Sequence, residues 1–207
     1  MTSVVIFGGT GEVGRIIVDK LLQQGRSVKV LTRNPVSESS HANLHLIEGN
    51  VLDALAVKRC IEFQDIVIIA LGFNNSSRDT MSTGTANIVS AMRENKCERL
   101  VCLSAQGAGE SWDHMPEAFK AMVSNDPILA ASFKDHTLQE QIVKASNLSW
   151  TLVRPTEIVD QVESGEYCVN GYKDGLTFQI SKYDVAHFIV DEAFNNAFVR
   201  QVAMITN

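Results

Sequence analysis

The sequence predicts an α/β protein, a doubly wound parallel sheet in a single domain, and three observations carry that expectation. Apolar runs of strand length, Val4 to Phe7, Ile66 to Leu71 and Leu100 to Leu103, alternate with stretches of helical period. The first run leads directly into Gly8, Gly11 and Gly14, and these into the periodic Val13, Ile16, Ile17 and Leu21. With 207 residues, 45% of them hydrophobic and 20% charged, the chain has the size and composition of one globular core.

The glycines punctuate the first strand–helix junction. One turns the chain tightly, one lets backbone approach a ligand, and one lets helix and strand pack closely. A helix that begins there points free N–H groups outward, which favours an anion such as a pyrophosphate. The pattern is read either as a dinucleotide-binding turn, with Gly8, Thr10, Gly11, Glu12, Val13 and Gly14 at the cofactor, or as an ordinary strand–helix turn.

Gly25 is the expected end of the first helix, and Ser27 to Thr32 the second strand. At its end an acid would hold the ribose of NAD; no acid lies between Thr32 and Val36, and Arg33 stands there instead. Its guanidinium suits the extra phosphate of NADP, so NADP(H) is expected in preference to NAD(H), unless Arg33 is simply a solvated loop residue. A polar loop leads to the third strand, Leu44 to Glu48, after which Asn50 and Val51 lie where adenine would sit. Asn50 is equally readable as a helix cap. A short helix from Ala54 to Cys60 precedes the fourth strand, Ile66 to Leu71, whose continuous apolar run implies burial on both faces; Gly72 follows it, a point of backbone approach to the cofactor. Thr83 to Glu94 is helical in period, and the fifth strand, Leu100 to Leu103, delivers Ser104 to the ligand-facing rim.

From 105 to 126 the pattern loosens while Trp112, Met115 and Phe119 add bulk, which suggests either a substrate-side lid or a crossover packed on the core. A helix from Pro127 to Ala145 sets His136 and Glu140 on one face. The sixth strand, Trp150 to Val153, ends at Arg154 and Pro155. Tyr167 to Ile180, with turns at Asn170-Gly171 and Asp174-Gly175, reads as short antiparallel strands. The substrate-side insertions are thus placed at about 105–126 and 159–180. Ser181 is placed to cap a helix from Tyr183 to Phe194, and Val202 to Ile205 make the last strand.

The net charge of -6 argues against a broad nucleic-acid surface. No apolar run approaches the roughly 20 residues of a membrane span, and the N-terminus lacks the pattern of a secretion signal; a cytoplasmic protein without a membrane partner is expected. Cys60, Cys97, Cys102 and Cys168 form no C-x-x-C pair and are expected as reduced, buried thiols. His41 and His45 lack companions at ligand spacing, so no metal is expected.

Several motifs then point to one family. The run Gly8-Gly9-Thr10-Gly11-Glu12-Val13-Gly14 resembles the N-terminal signature of the atypical short-chain dehydrogenase/reductases, the group of NmrA-like proteins and biliverdin-IXβ reductase/flavin reductase. Leu71-Gly72, Met81-Ser82-x-Gly84-x-x-Asn87-Ile88-Val89-x-Ala91-Met92, Cys102-x-Ser104-Ala105, Asp135-His136 and Ile180-Ser181-Lys182-x-Asp184-x-x-His187-Phe188 are similar to the biliverdin-IXβ reductase/flavin reductase branch. The resemblance runs from about Val4 to Phe194 and implies a Rossmann fold. It also implies that the glycine turn and Thr10 hold the pyrophosphate, Arg33 the 2′-phosphate, and Asn50 with Val51 the adenine. Leu71, Gly72, Ser104, Pro155 and Ile158 would border the nicotinamide. Ser104 and His136 are the catalytic candidates, and Trp112, His136 and Glu157 the substrate candidates; His136 either contacts a ligand or supports packing.

Three features depart from the family. The Tyr-x-x-x-Lys dyad of most short-chain dehydrogenases is absent: Tyr167, Tyr172 and Tyr183 are followed four residues later by Gly171, Leu176 and His187. Ser37 replaces a second phosphate-binding arginine. Glu157 replaces a pocket histidine, and Asn50 the usual Asp. A carboxylate near the substrate repels the propionates of a linear tetrapyrrole, which favours flavins over biliverdin. The expected function is NADPH-dependent hydride transfer to a flavin, quinone or similar flat aromatic acceptor, linear tetrapyrroles included, by a monomer or small homo-oligomer. The rival is a non-catalytic, NADP(H)-sensing regulator of NmrA-like type. The missing tyrosine fits both.

Overall fold

Val4, Val5, Ile6 and Phe7 are each almost wholly buried, and they set the plan of the molecule. In the computed structural model, which describes residues 2–35, 41–73, 78–171 and 178–207, they form strand β1 (Ser3–Phe7) near the middle of an eight-stranded sheet. Ser37, Tyr172 and the turn expected at Asp174-Gly175 lie outside the described residues.

The chain runs from β1 through helix α1 (Glu12–Gln23) to β2 (Ser27–Thr32) and β3 (Leu44–Glu48). It then crosses back through α2 (Ala54–Ile61) to β4 (Ile66–Ile69), on the other side of β1. Helix α3 (Thr80–Asn95) leads to β5 (Arg99–Leu103), and a 3-10 helix (Gly109–His114), α4 (Glu117–Asn125) and α5 (Pro127–Lys144) lead to β6 (Ser149–Pro155). After β7 (Glu157–Val159), β8 (Cys168–Val169) and β9 (Gln179–Ser181) come α6 (Lys182–Asn195) and β10 (Gln201–Thr206). The sheet order is β3-β2-β1-β4-β5-β6-β10-β8, parallel throughout except for β8. The expected doubly wound Rossmann fold is therefore present.

Strand residues point alternately to the two faces, and both faces are apolar. Val4, Ile6 and Ile68 pack with Ile17 and Leu21 of α1 and Val185 and Ile189 of α6. Val5, Phe7 and Ile69 pack with Val57 of α2, Ile88 and Met92 of α3, and Val143 of α5. Direction changes between β1 and β4, which leaves a crevice at their carboxyl ends, where ligands of such sheets bind.

Polar side chains fix the helix ends around that crevice. Asp135 of α5 accepts the backbone N–H groups of Met81 and Ser82 at 2.9 and 3.0 Å and so caps α3 from outside. Ser181 caps α6 as expected, accepting from the Tyr183 N–H. The buried carboxylate of Asp184 accepts the N–H groups of Ser164 and Gly165 and the side chains of Ser164 and Asn207, tying down the segment after β7.

One expectation needs correction. The strands between 167 and 180 do not pair with one another: β8 runs antiparallel to β10, while β9 runs parallel to β7 in a separate two-stranded sheet. The reason is the free flank of β10, where Met204 O accepts the Asn170 N–H at 2.9 Å and the Met204 N–H reaches Asn170 Oδ1 at 2.8 Å. The region 105–126, which had no clear period, contains the 3-10 helix and α4, with Ala108, Met115 and Val123 buried.

Candidate functional site

The crevice is floored by the junction of β1 and α1. Gly8 has φ +90°, and a side chain there would run into the carbonyl of Ala70; one at Gly14 would run into the carbonyl of Gly8. Gly14 thus serves close packing beneath the turn and does not face the crevice. Gly11, whose N–H donates to Gly8 O at 3.0 Å, precedes α1 without a side-chain cap. This distinguishes α1 from α2, α5 and α6, which Asp53, Asp126 and Ser181 cap. The N–H groups of Glu12 and Val13 have no carbonyl of their own helix to bind and open onto the crevice. They form, with the positive end of the helix, a seat for an anion. Glu12 contributes its N–H, since its carboxylate is the wrong sign for a phosphate.

On the β2 side a cavity of about 290 Å³ is lined by Gly8, Thr10, Gly11, Arg33, Asn50, Val51, Leu71 and Gly72. Arg33 is exposed at its border. Asn50 accepts the Leu52 N–H at 3.0 Å in a local turn, while Asp53 takes the helix-capping role that Asn50 was open to. Val51 is held from two directions: its carbonyl accepts from Asn87 Nδ2 at 3.0 Å, and its methyl groups fill the space above Gly84.

On the other side of Leu71 and Gly72 lies a larger cleft of about 780 Å³. Glu12, Val13, Ser104, His136, Pro155, Glu157 and Ile158 line it, so the structure brings these sequence-derived candidates together. Its walls include Met115, Phe119, Leu129, Phe133 and Phe178. Leu129, Phe133, His136 and Glu140 lie on one face of α5, so the spacing that displayed His136 and Glu140 also displayed the first two. Phe178 carried no such signal.

Trp112 is a correction. It lines a separate cavity of about 330 Å³ with Val123, Phe133 and Leu138, and not the large cleft. The 3-10 helix carries it behind Phe119 and Phe133, whose ring centres lie 6.3 and 6.4 Å from its own. Trp112 therefore backs the aromatic wall.

Ser104 directly follows β5, and its N–H donates to Val153 O at 2.8 Å. Its hydroxyl donates to Glu140 Oε1 at 2.7 Å. Glu140 is buried and also receives Arg154 Nε at 2.8 Å, Arg154 Nη2 at 2.5 Å and Lys144 Nζ at 3.3 Å. Glu110 joins them from the surface, 3.0 Å from Arg154 and 2.8 Å from Lys144. An ionised carboxylate only accepts hydrogen bonds, so the Ser104 proton is directed inward and the oxygen keeps its lone pairs for the cleft. The Ser104 oxygen is thereby left able to accept a hydrogen bond.

Burial pushes the His136 imidazole below the ordinary histidine value, outweighing the upward pull of Gln139, Glu140 and Asp135, so the ring is neutral at neutral pH. Glu157 is exposed and accepts Gln179 Nε2 at 2.9 Å. Neither Tyr167 nor Tyr183 lines either cavity. Cys60 is pushed up to about 12 by burial, which keeps it a thiol. Among the described residues no three His, Cys, Asp or Glu side chains are grouped to hold a metal ion, and no helix is long and apolar enough to cross a membrane.

Comparison with known proteins agrees with this geometry. A family model described as NAD(P)H-binding matches residues 8–196. The oxidoreductase ordB of Dothistroma septosporum is 25% identical over 187 residues, covering 80% of this chain and 68% of that protein. Among solved structures, ChuY, an anaerobilin reductase from Escherichia coli O157:H7, superposes with a TM-score of 0.80 at 20% identity, over 99% of this chain and 96% of that one. A short-chain dehydrogenase/reductase from Veillonella parvula, solved in complex with NADP, superposes with a TM-score of 0.81 at 20% identity, over 100% and 94% of the two chains. At these identities the two structures share a fold with this chain.

Proposed function

This chain belongs to the NAD(P)H-binding family, and from that premise we propose that it is an NADPH-dependent reductase delivering hydride to a flat, electron-accepting ring such as a flavin or quinone. One observation carries the reading: the uncapped start of α1 opens on a crevice that continues, past Leu71 and Gly72, into a cleft walled by apolar side chains. The residues present fit a dinucleotide, because the glycine turn leads into a helix start with no side-chain cap, where free backbone N–H groups can take a pyrophosphate.

The nicotinamide, when bound, supplies the hydride chemistry itself. The protein's share is binding and alignment. Thr10, Gly11 and the N–H groups of Glu12 and Val13 hold the pyrophosphate, Arg33 the 2′-phosphate, and Asn50 with Val51 the adenine. Leu71, Gly72, Pro155 and Ile158 border the nicotinamide, and the Ser104 lone pairs accept an N–H from its carboxamide or from the acceptor. Met115, Phe119 and Phe133 keep water from the ring edges. No positioned strong acid is required, since a reduced flavin nitrogen or quinone oxygen can take its proton from solvent.

The test is oxidation of NADPH, followed by nicotinamide absorbance, with riboflavin, FMN and a quinone, and then with NADH. Turnover with NADPH is expected, and Arg33→Ala is expected to lower NADPH preference about tenfold to a hundredfold, the worth of one charge-assisted hydrogen-bonded contact. A second reading, the cofactor-sensing regulator, draws on the inward-turned Ser104 proton and the neutral His136, which leave no obvious proton donor. Tight NADPH binding without reduction of any acceptor, together with partner binding that differs between NADP and NADPH, would put that reading first.

A further inference from the structure

The larger cleft is charged in one sense only. Among the described residues that line it, the ionised side chains are Glu12 and Glu157, both exposed carboxylates; no lysine or arginine is among them. Three described cations outside its lining are engaged elsewhere. Arg154 sits behind Ser104, forked onto Glu140 and 3.0 Å from Glu110. Lys144 meets Glu110 at 2.8 Å, and Lys182 meets Asp160 at 2.8 Å. The other polar groups of the lining, Ser104, Gln106, Thr156 and the neutral His136, offer hydrogen bonds without charge. Phe119, Phe133 and Met115 supply an apolar wall on which a flat ring can lie.

An anionic acceptor entering this cleft gives up hydration, meets two like charges and gains no counter-ion among the described residues. An uncharged ring loses nothing of the kind. Resting on the reductase reading above, we infer that the acceptor pocket selects uncharged flat rings and discriminates against acceptors that carry phosphate or carboxylate groups, with Glu157 and Glu12 as the discriminating residues. The natural substrate class is then a neutral isoalloxazine or quinone. Acceptors bearing several carboxylates, linear tetrapyrroles among them, are disfavoured.

Riboflavin and FMN make the test pair, because they share one ring and differ by a phosphate. With saturating NADPH at low salt, kcat/KM for riboflavin is expected to exceed that for FMN by about tenfold. The ratio should shrink as potassium chloride is added, and shrink again in the Glu157→Gln and Glu12→Gln/Glu157→Gln proteins, judged folded by an unchanged melting temperature. Equal efficiencies, or a preference for FMN, would overturn the inference while leaving the reductase reading intact. If neither flavin is reduced, the reductase reading rests on the quinone assay, and charge selection is read from binding alone, by quenching of flavin fluorescence on the NADP-saturated protein. Tighter binding of riboflavin, with the gap narrowed by Glu157→Gln, sustains selection by charge; equal or tighter FMN binding, or no binding of either flavin, ends it.

Discussion

Glu140 shows how much one side chain can organise. It is 1% exposed, accepts the Ser104 proton and holds both forks of Arg154, a guanidinium that is itself 4% exposed. Truncation would leave that buried cation with only the surface carboxylate of Glu110, so Glu140→Ala is expected to cost about 3 kcal/mol, read as a lower urea midpoint. Ser104→Ala removes a smaller group and should leave the fold standing while slowing reduction; an unchanged rate would remove Ser104 from the site. Asp184 carries a pH dependence. Burial alone would raise its carboxyl, but hydrogen bonds from Gly165, Ser164 and Asn207 outweigh it and hold the group below the usual aspartate value. The unfolded chain therefore binds this proton more readily, so the contribution is complete above about pH 4 and lost as pH falls through the lower folded value. Urea titrations at descending pH should show a shallower loss in Asp184→Asn. The sequence displayed Glu140 on a helix face with His136, yet it could not display the partners, because Arg154 and Ser104 reach Glu140 only through the folding of α5 against β5 and β6.

At the scale of the element, the turn from β1 to α1 depends on atoms that are absent. An added methyl at Gly14 would overlap the Gly8 carbonyl, whereas one at Gly11 would stand 3.3 Å from it. Gly14→Ala is therefore expected to push α1 off the strand, with a loss of about 1–3 kcal/mol and of NADPH affinity together, and Gly11→Ala to do much less to stability. Calorimetry with and without NADPH separates the two effects. Asp135→Ala should cost about 1–2 kcal/mol by exposing the N–H groups of Met81 and Ser82. Elements with strong local signals were legible: β2 and β3 begin and end where Ser27 to Thr32 and Leu44 to Glu48 implied, and Ser181 caps α6. Helix α4 was not, because Pro116 opens it without a side-chain cap and its apolar stripe spans only Glu117–Asn125. The displacement of Trp112 behind Phe119 and Phe133 follows from the same short elements.

At the scale of the whole molecule, alternation of strand and helix was enough to anticipate the doubly wound sheet, since both of its faces must be covered and short right-handed crossovers allow few ways to do so. The partners of β8 and β9 were beyond reach, because they depend on which sheet flank remained open after β10 was laid down. That flank also bears on how copies of the chain meet. Strand β8 contributes Cys168 and Val169 only, and the chain turns away at Asn170, whose φ is +52°. Among the described residues, so short a border strand gives an incoming backbone almost no row of its own amides and carbonyls to copy.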